Sequence, residues 1–281
     1  MKKWNLIVDV ARCNNCNNCT LATKDEHVGN DFPGYAAAQP AHGHHWIKIE
    51  RKVRGATPMV DAAYMPTMCN HCDNAPCMAA AGKDAIVKRA DGIVIIDPEK
   101  ARGRKDLVGA CPYGAISWNE ELQLPQIWIF DAHLLDQGWQ EPRCVQACPT
   151  GVFQALKVED SEMKAIVERD GLEVHRAELG TRPRVYYRNL YRYAKRFIGG
   201  TVIVDRDGVV DCVSDAKVRL SHGSALIAEL ETDHFGDFKF DGLQAAPGDY
   251  SIDISHAQLG SARVETSLDE SRYVGMISLH G

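Results

Sequence analysis

The residues of this chain best suited to chemistry are its ten cysteines, nine of which lie between Cys13 and Cys148. Cys13, Cys16 and Cys19 form a Cys-x-x-Cys-x-x-Cys triad, and Cys69, Cys72 and Cys77 form a second, slightly looser one. Two more cysteines precede proline, in Cys111-Pro112-Tyr113-Gly114 and in Cys148-Pro149-Thr150-Gly151. Three closely spaced thiolates wrap a tight loop around one corner of a cubane and point backbone amides at its sulfurs. The fourth ligand has to come from elsewhere, because such a loop cannot reach round the cluster. A Cys-Pro pair supplies it, with the proline ending the turn. Two triads and two Cys-Pro cysteines therefore make two sets of four thiolates, the ligand count of a [4Fe–4S] cluster. The spacing predicts two clusters held by Cys13, Cys16, Cys19, Cys69, Cys72, Cys77, Cys111 and Cys148.

Competing uses of cysteine fit less well. Zinc sites favour paired Cys-x-x-Cys knuckles over triads with distant Cys-Pro partners. Disulfide frameworks of this density belong to small secreted domains, and nothing here suggests secretion. The N-terminus, Met1 to Asp9, starts basic without an apolar h-region and reads as a short strand. No stretch approaches the roughly 20 apolar residues that cross a bilayer. A net charge of −6 argues against nucleic-acid binding. A cytoplasmic chain without direct membrane insertion is expected.

The elements that position the cysteines fall into three stretches. Residues 1–155 show short apolar runs broken by Cys, Gly, Pro and Asn, such as the strand-like Gly92-Ile93-Val94-Ile95-Ile96-Asp97. A core of this kind is held by metal as much as by apolar burial. Residues 156–198 read as a connecting arm. Within it, Ser161 to Asp170 is helical with Met163, Ile166 and Val167 on one face, and a run rich in Arg and Tyr follows from Arg182 to Arg196. That run could suggest RNA, but an extended arm packed on the first domain or a partner is the better reading. Residues 199–281 alternate apolar and polar positions in Val202-Ile203-Val204, Ala216 to Leu220, Phe238-Lys239-Phe240 and Tyr250 to Ile254. Turns such as Asp207-Gly208 and Pro247-Gly248-Asp249 separate these runs. This predicts an antiparallel β-sandwich of about seven strands, of immunoglobulin or transthyretin type, with Cys212 an isolated thiol inside it. The fold class is α+β, a ferredoxin-like double-cluster domain followed by a small all-β domain.

The four cysteine motifs, in this order, resemble those of the iron–sulfur subunits of molybdopterin oxidoreductases related to dimethyl sulfoxide reductase. The resemblance implies paired ferredoxin-like units that usually hold four clusters. It also implies a ligand assignment: cluster one on Cys13, Cys16, Cys19 and Cys148, and cluster two on Cys69, Cys72, Cys77 and Cys111. Other family cysteines are missing. Ala101, Arg104 and Leu107 stand in the third motif, and Thr23, Trp128 and Asp131 stand at three ligand positions of a further cluster. Only Cys144 remains of that last set, and it is expected to be a free thiol.

Further segments narrow the likeness: Asp25-Glu26-His27, Asn74-Ala75-Pro76-Cys77, Ala132 to Asp136, Pro183 to Tyr187 and Phe235 to Phe240. They resemble a subgroup of small subunits with an appended β-domain, whose complexes move a hydroxyl between polyhydroxylated benzenes. The likeness implies a larger partner subunit carrying molybdopterin with Mo or W, where the chemistry happens, and it allows higher-order assembly of heterodimers. No catalytic residue is expected on this chain. His42, His44 and His45, its densest histidine group, are expected to pack rather than to ligate or relay protons. In the family's spatial order the missing cluster lies between the two retained ones. The gap disfavours a continuous electron relay and so favours a redox-neutral transhydroxylation. An electron-feeding subunit of a related reductase or catechol dehydroxylase, and a purely structural subunit, are the alternatives.

Overall fold

The computed structural model describes residues 1–82 and 84–279. The chain forms two compact units. The first comprises Met1–Arg51 with Tyr64–Leu190, and the second Lys52–Ala63 with Tyr191–Gly281. Among the described residues no helix is long and apolar enough to cross a membrane.

The first unit is built on the strand Lys3–Asp9. Its run of Trp4, Leu6, Ile7 and Val8 buries both faces, as a central strand requires. Phe153–Val158 pairs antiparallel on one side, with Leu6 opposite Ala155, and Val185–Arg188 pairs parallel on the other, with Leu6 opposite Val185. The helix Asp160–Asp170 packs Met163 against Ile7 and Leu172 on one face of this sheet. It starts on Asp160 and Glu162, which suit the positive end of the helix dipole, and stops at Gly171 in the left-handed conformation (φ 59°). Residues 156–190, read from sequence as part of an arm, are thus integral to this unit. Arg184 is buried and Arg188 pairs with Asp170 at 2.9 Å, so the basic run is not a free strip. The rest of the unit is short pieces: the helix Asn18–His27, the hairpins Ile86–Lys88/Val94–Ile96 and Ser117–Asn119/Leu124–Gln126, and single turns at Pro76–Ala81, Lys105–Ala110 and Arg143–Gln146.

In the second unit, Arg196–Arg206 pairs with Val209–Cys212, with Asp237–Leu243 and, in parallel, with Arg272–Ser278. A second sheet runs in the order Ala225–Glu231, Lys217–His222, Tyr250–His256, Gly260–Thr266. Among the described residues these two sheets hold eight strands, against the roughly seven that the sequence predicts. Alternate residues such as Val218, Leu220, Ile252 and Ile254 meet Ile198, Val202, Phe238 and Phe240 in one apolar core. The Lys52–Ala63 piece brings Arg54, buried among charges: its guanidinium holds Asp61 and sits 2.8 and 2.9 Å from the carboxylate of Asp241.

Candidate metal centres

The first triad follows directly on the central strand. Asn15 and Asn17 both take φ 63°, a left-handed conformation that Asn tolerates better than most residues, and so coil the loop. Cys19 lies in the first turn of Asn18–His27 and is buried, Cys13 is half-buried and Cys16 exposed. Cys148 arrives from the turn Arg143–Gln146, across 129 residues from Cys19. Asn18 Nδ2 donates to the Ala147 carbonyl at 3.4 Å, and the Cys148 sulfur accepts from the Val152 amide at 3.3 Å. Burial pushes the Cys13 thiol up, and the charges of Cys148 and Cys16 add to the effect. The Cys19 thiol is pushed up to about 11 by burial, with Cys13 and Cys148 as its charged neighbours. Cys148 therefore lies close enough to act on both Cys13 and Cys19.

The second set behaves likewise. Cys69 is raised far above the ordinary thiol range by burial, then by the charges of Cys111, Cys77 and Cys72. Cys77, in the first turn of Pro76–Ala81, is raised to about 11 by burial and by Cys111 and Cys72. Clustered thiols held this high stay protonated until a cation compensates them, which is the electrostatic condition for a metal-dependent site. Among the described residues, no three His, Cys, Asp or Glu side chains converge closely enough to share a single ion.

Several residues that the cysteine spacing does not reveal hold the second loop. Lys88 Nζ donates to the carbonyls of His71 at 2.8 Å and Cys72 at 3.0 Å, and pairs with Asp73 at 2.9 Å. Arg184 grips the same carboxylate with two nitrogens, at 2.8 and 2.6 Å. Burial raises the Cys72 thiol and the Thr181 side chain lowers it, and the Thr181 hydroxyl lies 2.6 Å from that of Tyr113. Lys88, Thr181 and Arg184 carry no local motif; only the fold brings them to Cys72. His71 lies between two candidate ligands with φ 46° and is fully enclosed. Burial, then the charges of Lys88 and Arg184, lowers it to about 3, so the ring is neutral. Its Nδ1 accepts from the Val94 amide at 3.0 Å, which assigns the ring proton to Nε2.

The remaining candidates are not among the expected ligands. Cys144 is buried, and burial, then the Asp131 carboxylate and the Cys19 thiol of the first set, raise its own thiol. Cys212 is exposed on Val209–Cys212. His44 and His45 are both lowered by burial and then by the charge of Lys24. At the positions where the resemblance called for further ligands, the interior is packed. Thr23 donates to the Cys19 carbonyl at 2.9 Å, and Asp131 accepts from the Arg143 amide at 2.8 Å. Trp128 is wholly buried and stacks on Phe130 at 4.8 Å, with His71 at 5.7 Å from Trp128 and Trp4 at 5.8 Å from Phe130.

Comparison with known proteins adds to this geometry. Residues 60–158 match the family described as a 4Fe-4S dicluster domain. The chain is 44% identical over 99% of its length, and all of the relative's, to the pyrogallol hydroxytransferase small subunit of Pelobacter acidigallici. It is 31% identical to a tetrathionate reductase subunit of Salmonella typhimurium, over 67% of this chain and 73% of that one. A putative dimethyl sulfoxide reductase iron-sulfur subunit of Halobacterium salinarum is 30% identical over 67% of this chain and 80% of its own. The chain belongs to the iron–sulfur subunits of the dimethyl sulfoxide reductase family. For a member of this family the donor set is apt: soft, clustered thiolates select iron–sulfur clusters, whereas carboxylates and carbonyls select harder cations.

Proposed function

We propose that this chain is the iron–sulfur subunit of a molybdopterin-dependent transhydroxylase acting on polyhydroxylated benzenes, and that it holds two [4Fe–4S] clusters. Cluster one is assigned to Cys13, Cys16, Cys19 and Cys148, and cluster two to Cys69, Cys72, Cys77 and Cys111. The observation that carries the assignment is the ligand spacing, two triads each with a remote Cys-Pro cysteine; Cys148 acting on Cys13 and Cys19, and Cys111 on Cys69, Cys72 and Cys77, supports it. When bound, the clusters would carry single electrons. The chain's own residues position them: Asn15 and Asn17 coil the first loop, and Lys88, Thr181 and Arg184 pin the second. The match to the pyrogallol hydroxytransferase small subunit along the whole chain supports the substrate class. Catalysis is assigned to a larger molybdopterin-bearing subunit, with Mo or W, in the cytoplasm.

Residues 1–155 would hold the clusters, 156–198 brace and connect, and 199–281 form an immunoglobulin- or transthyretin-like sandwich that contacts the large subunit or a second heterodimer. Exposed Val209, Val210, Leu226, Ile227 and Phe235 support a contact role for that last part. The packed aromatic interior at Trp128 and Phe130 supports a count of two clusters and, with it, redox-neutral turnover.

The test is to purify the chain anaerobically with its partner and assay iron, sulfide and activity. Two cubanes require about eight iron per chain, and about twelve would refute the count. Phloroglucinol formed from pyrogallol and a tetrahydroxybenzene co-substrate, with no electron donor, is the expected result. Turnover only with reduced viologen would instead make this an electron-feeding reductase subunit.

A further inference from the structure

A cavity of about 460 Å³ opens in the first unit beside the helix Asp160–Asp170. Met163 and Val167 of the helix form one apolar wall, and Val174, Ala177, Pro183 and Tyr186 form the rest. Its volume falls near the lower end of the ~300–1,000 Å³ typical of small-molecule sites, room for one or two fused rings. The charges around it are unevenly satisfied. Asp73 and Asp160 also line the cavity, and both are engaged by Arg184, at 2.6 and 3.1 Å. Lys3 holds Asp160 as well, at 2.6 Å. Lys164, also at the lining, pairs among the described residues only with Glu168, at 3.9 Å on an exposed helix face. Arg182 is exposed, and among the described residues its guanidinium has no ion pair. The charge left available at the mouth is therefore positive, above apolar walls that include the flat faces of a proline and a tyrosine.

We propose that this cavity binds a small planar aromatic anion, such as a phenolate, with its ring between Met163, Val167 and Pro183, Tyr186 and its anionic oxygen facing Arg182 and Lys164. Its position gives the site meaning within the proposed function, on which this last point rests. The Arg182 carbonyl accepts from the Asp73 amide at 2.9 Å, and the Thr181 carbonyl accepts from the Asn74 amide at 2.9 Å. Asp73 follows Cys72 directly in the chain, so a ring bound here lies one hydrogen-bonded layer from the loop that carries this candidate ligand of cluster two, and aromatic molecules are held beside that loop on this chain itself.

The test uses the anaerobically purified complex and 2-naphthalenesulfonate, a planar anion that does not exchange electrons, in equilibrium dialysis. Arg182→Gln removes the free charge without touching the core. Ala177→Trp fills the cavity from an exposed turn. Saturable binding of one probe per chain, weakened at least tenfold by each variant, is expected. Octanesulfonate, an aliphatic anion of similar size, should bind at least tenfold more weakly. Absence of saturable binding, binding indifferent to Arg182→Gln, or equal affinity for octanesulfonate would overturn the proposal. Iron measured on the same samples separates the two readings. About eight iron with no probe bound sinks the cavity alone, whereas binding intact with far less iron sinks the cluster assignment and leaves the cavity standing.

Discussion

Trp128 stands where the family resemblance places a ligand, and its replacement by alanine tests whether that position has become ordinary core. The indole is wholly buried, stacked on Phe130 at 4.8 Å with the rings 29° apart, and close to the neutral ring of His71. Emptying such a site removes apolar burial and leaves a cavity, a loss of about 3–5 kcal/mol for an aromatic side chain. At about 2–4 °C per kcal/mol for a folding unit of this size, the apparent melting midpoint should fall by roughly 10 °C. Trp128→Phe separates packing from polarity. Among the described residues the indole N–H has no hydrogen-bond partner, and a buried donor left unpaired is itself unfavourable by about 1–3 kcal/mol. Phenylalanine keeps most of the ring and removes that donor, so it should lose well under half of what alanine loses. The assay is anaerobic differential scanning calorimetry on the complex, with iron counted on the same samples. A count falling by about four would mean that damage had passed through His71 into cluster two. An alanine variant melting within about 3 °C of the parent, or a phenylalanine variant falling as far as alanine, would refute the packed-core account.

Three further outcomes follow from the same geometry. Restoring cysteine at Thr23, Trp128 and Asp131 together, beside the resident Cys144, should raise iron from about eight to about twelve per chain; a count that stays at eight would show that these positions do not face a common site. Lys88→Met removes the donor that ties the carbonyls of His71 and Cys72 to Asp73, so cluster two should be lost selectively and iron should fall towards about four, with an unchanged count counting against the clamp. Arg54→Ala removes the buried cation between Asp61 and Asp241 but leaves Lys239 near both carboxylates, at 3.7 and 3.3 Å, and Arg192 on Asp61 at 2.6 Å, so it should destabilise the second unit by about 1–3 kcal/mol; a urea midpoint within error of the parent would show that Lys239 and Arg192 suffice.

Much of the local structure is legible in the residues themselves. The helix Asp160–Asp170 follows from the spacing of Met163, Ile166 and Val167, and from a glycine at Gly171 that can adopt the left-handed stop. Strands such as Lys217–His222 and Tyr250–His256 follow from simple alternation. These are short-range effects, in which side-chain period and backbone propensity decide the outcome within a few residues. The run Arg182 to Arg196 is less legible, because a basic, aromatic run is equally at home on a surface or against a buried carboxylate. Only the fold shows Arg184 spent on Asp73 and Asp160.

The kind of chemistry is written in the residues: eight cysteines in two triads and two Cys-Pro pairs give the ligand count expected of two cubanes. The sequence's resemblance to the family also points to Thr23, Trp128 and Asp131 as positions where a further cluster would lack its thiolates. Tertiary structure alone decided which distant groups meet. It set Cys148 within the field of Cys13, brought Lys88, Thr181 and Arg184 to the Cys72 loop, and opened a cationic-mouthed cavity next to that loop. The reason is physical. Ligand chemistry resides in side-chain type and close spacing, whereas pairing across a hundred residues or more depends on how strands register and helices pack. In this chain that depends on a parallel partner for the first strand, supplied by Val185–Arg188 near the end of the first unit.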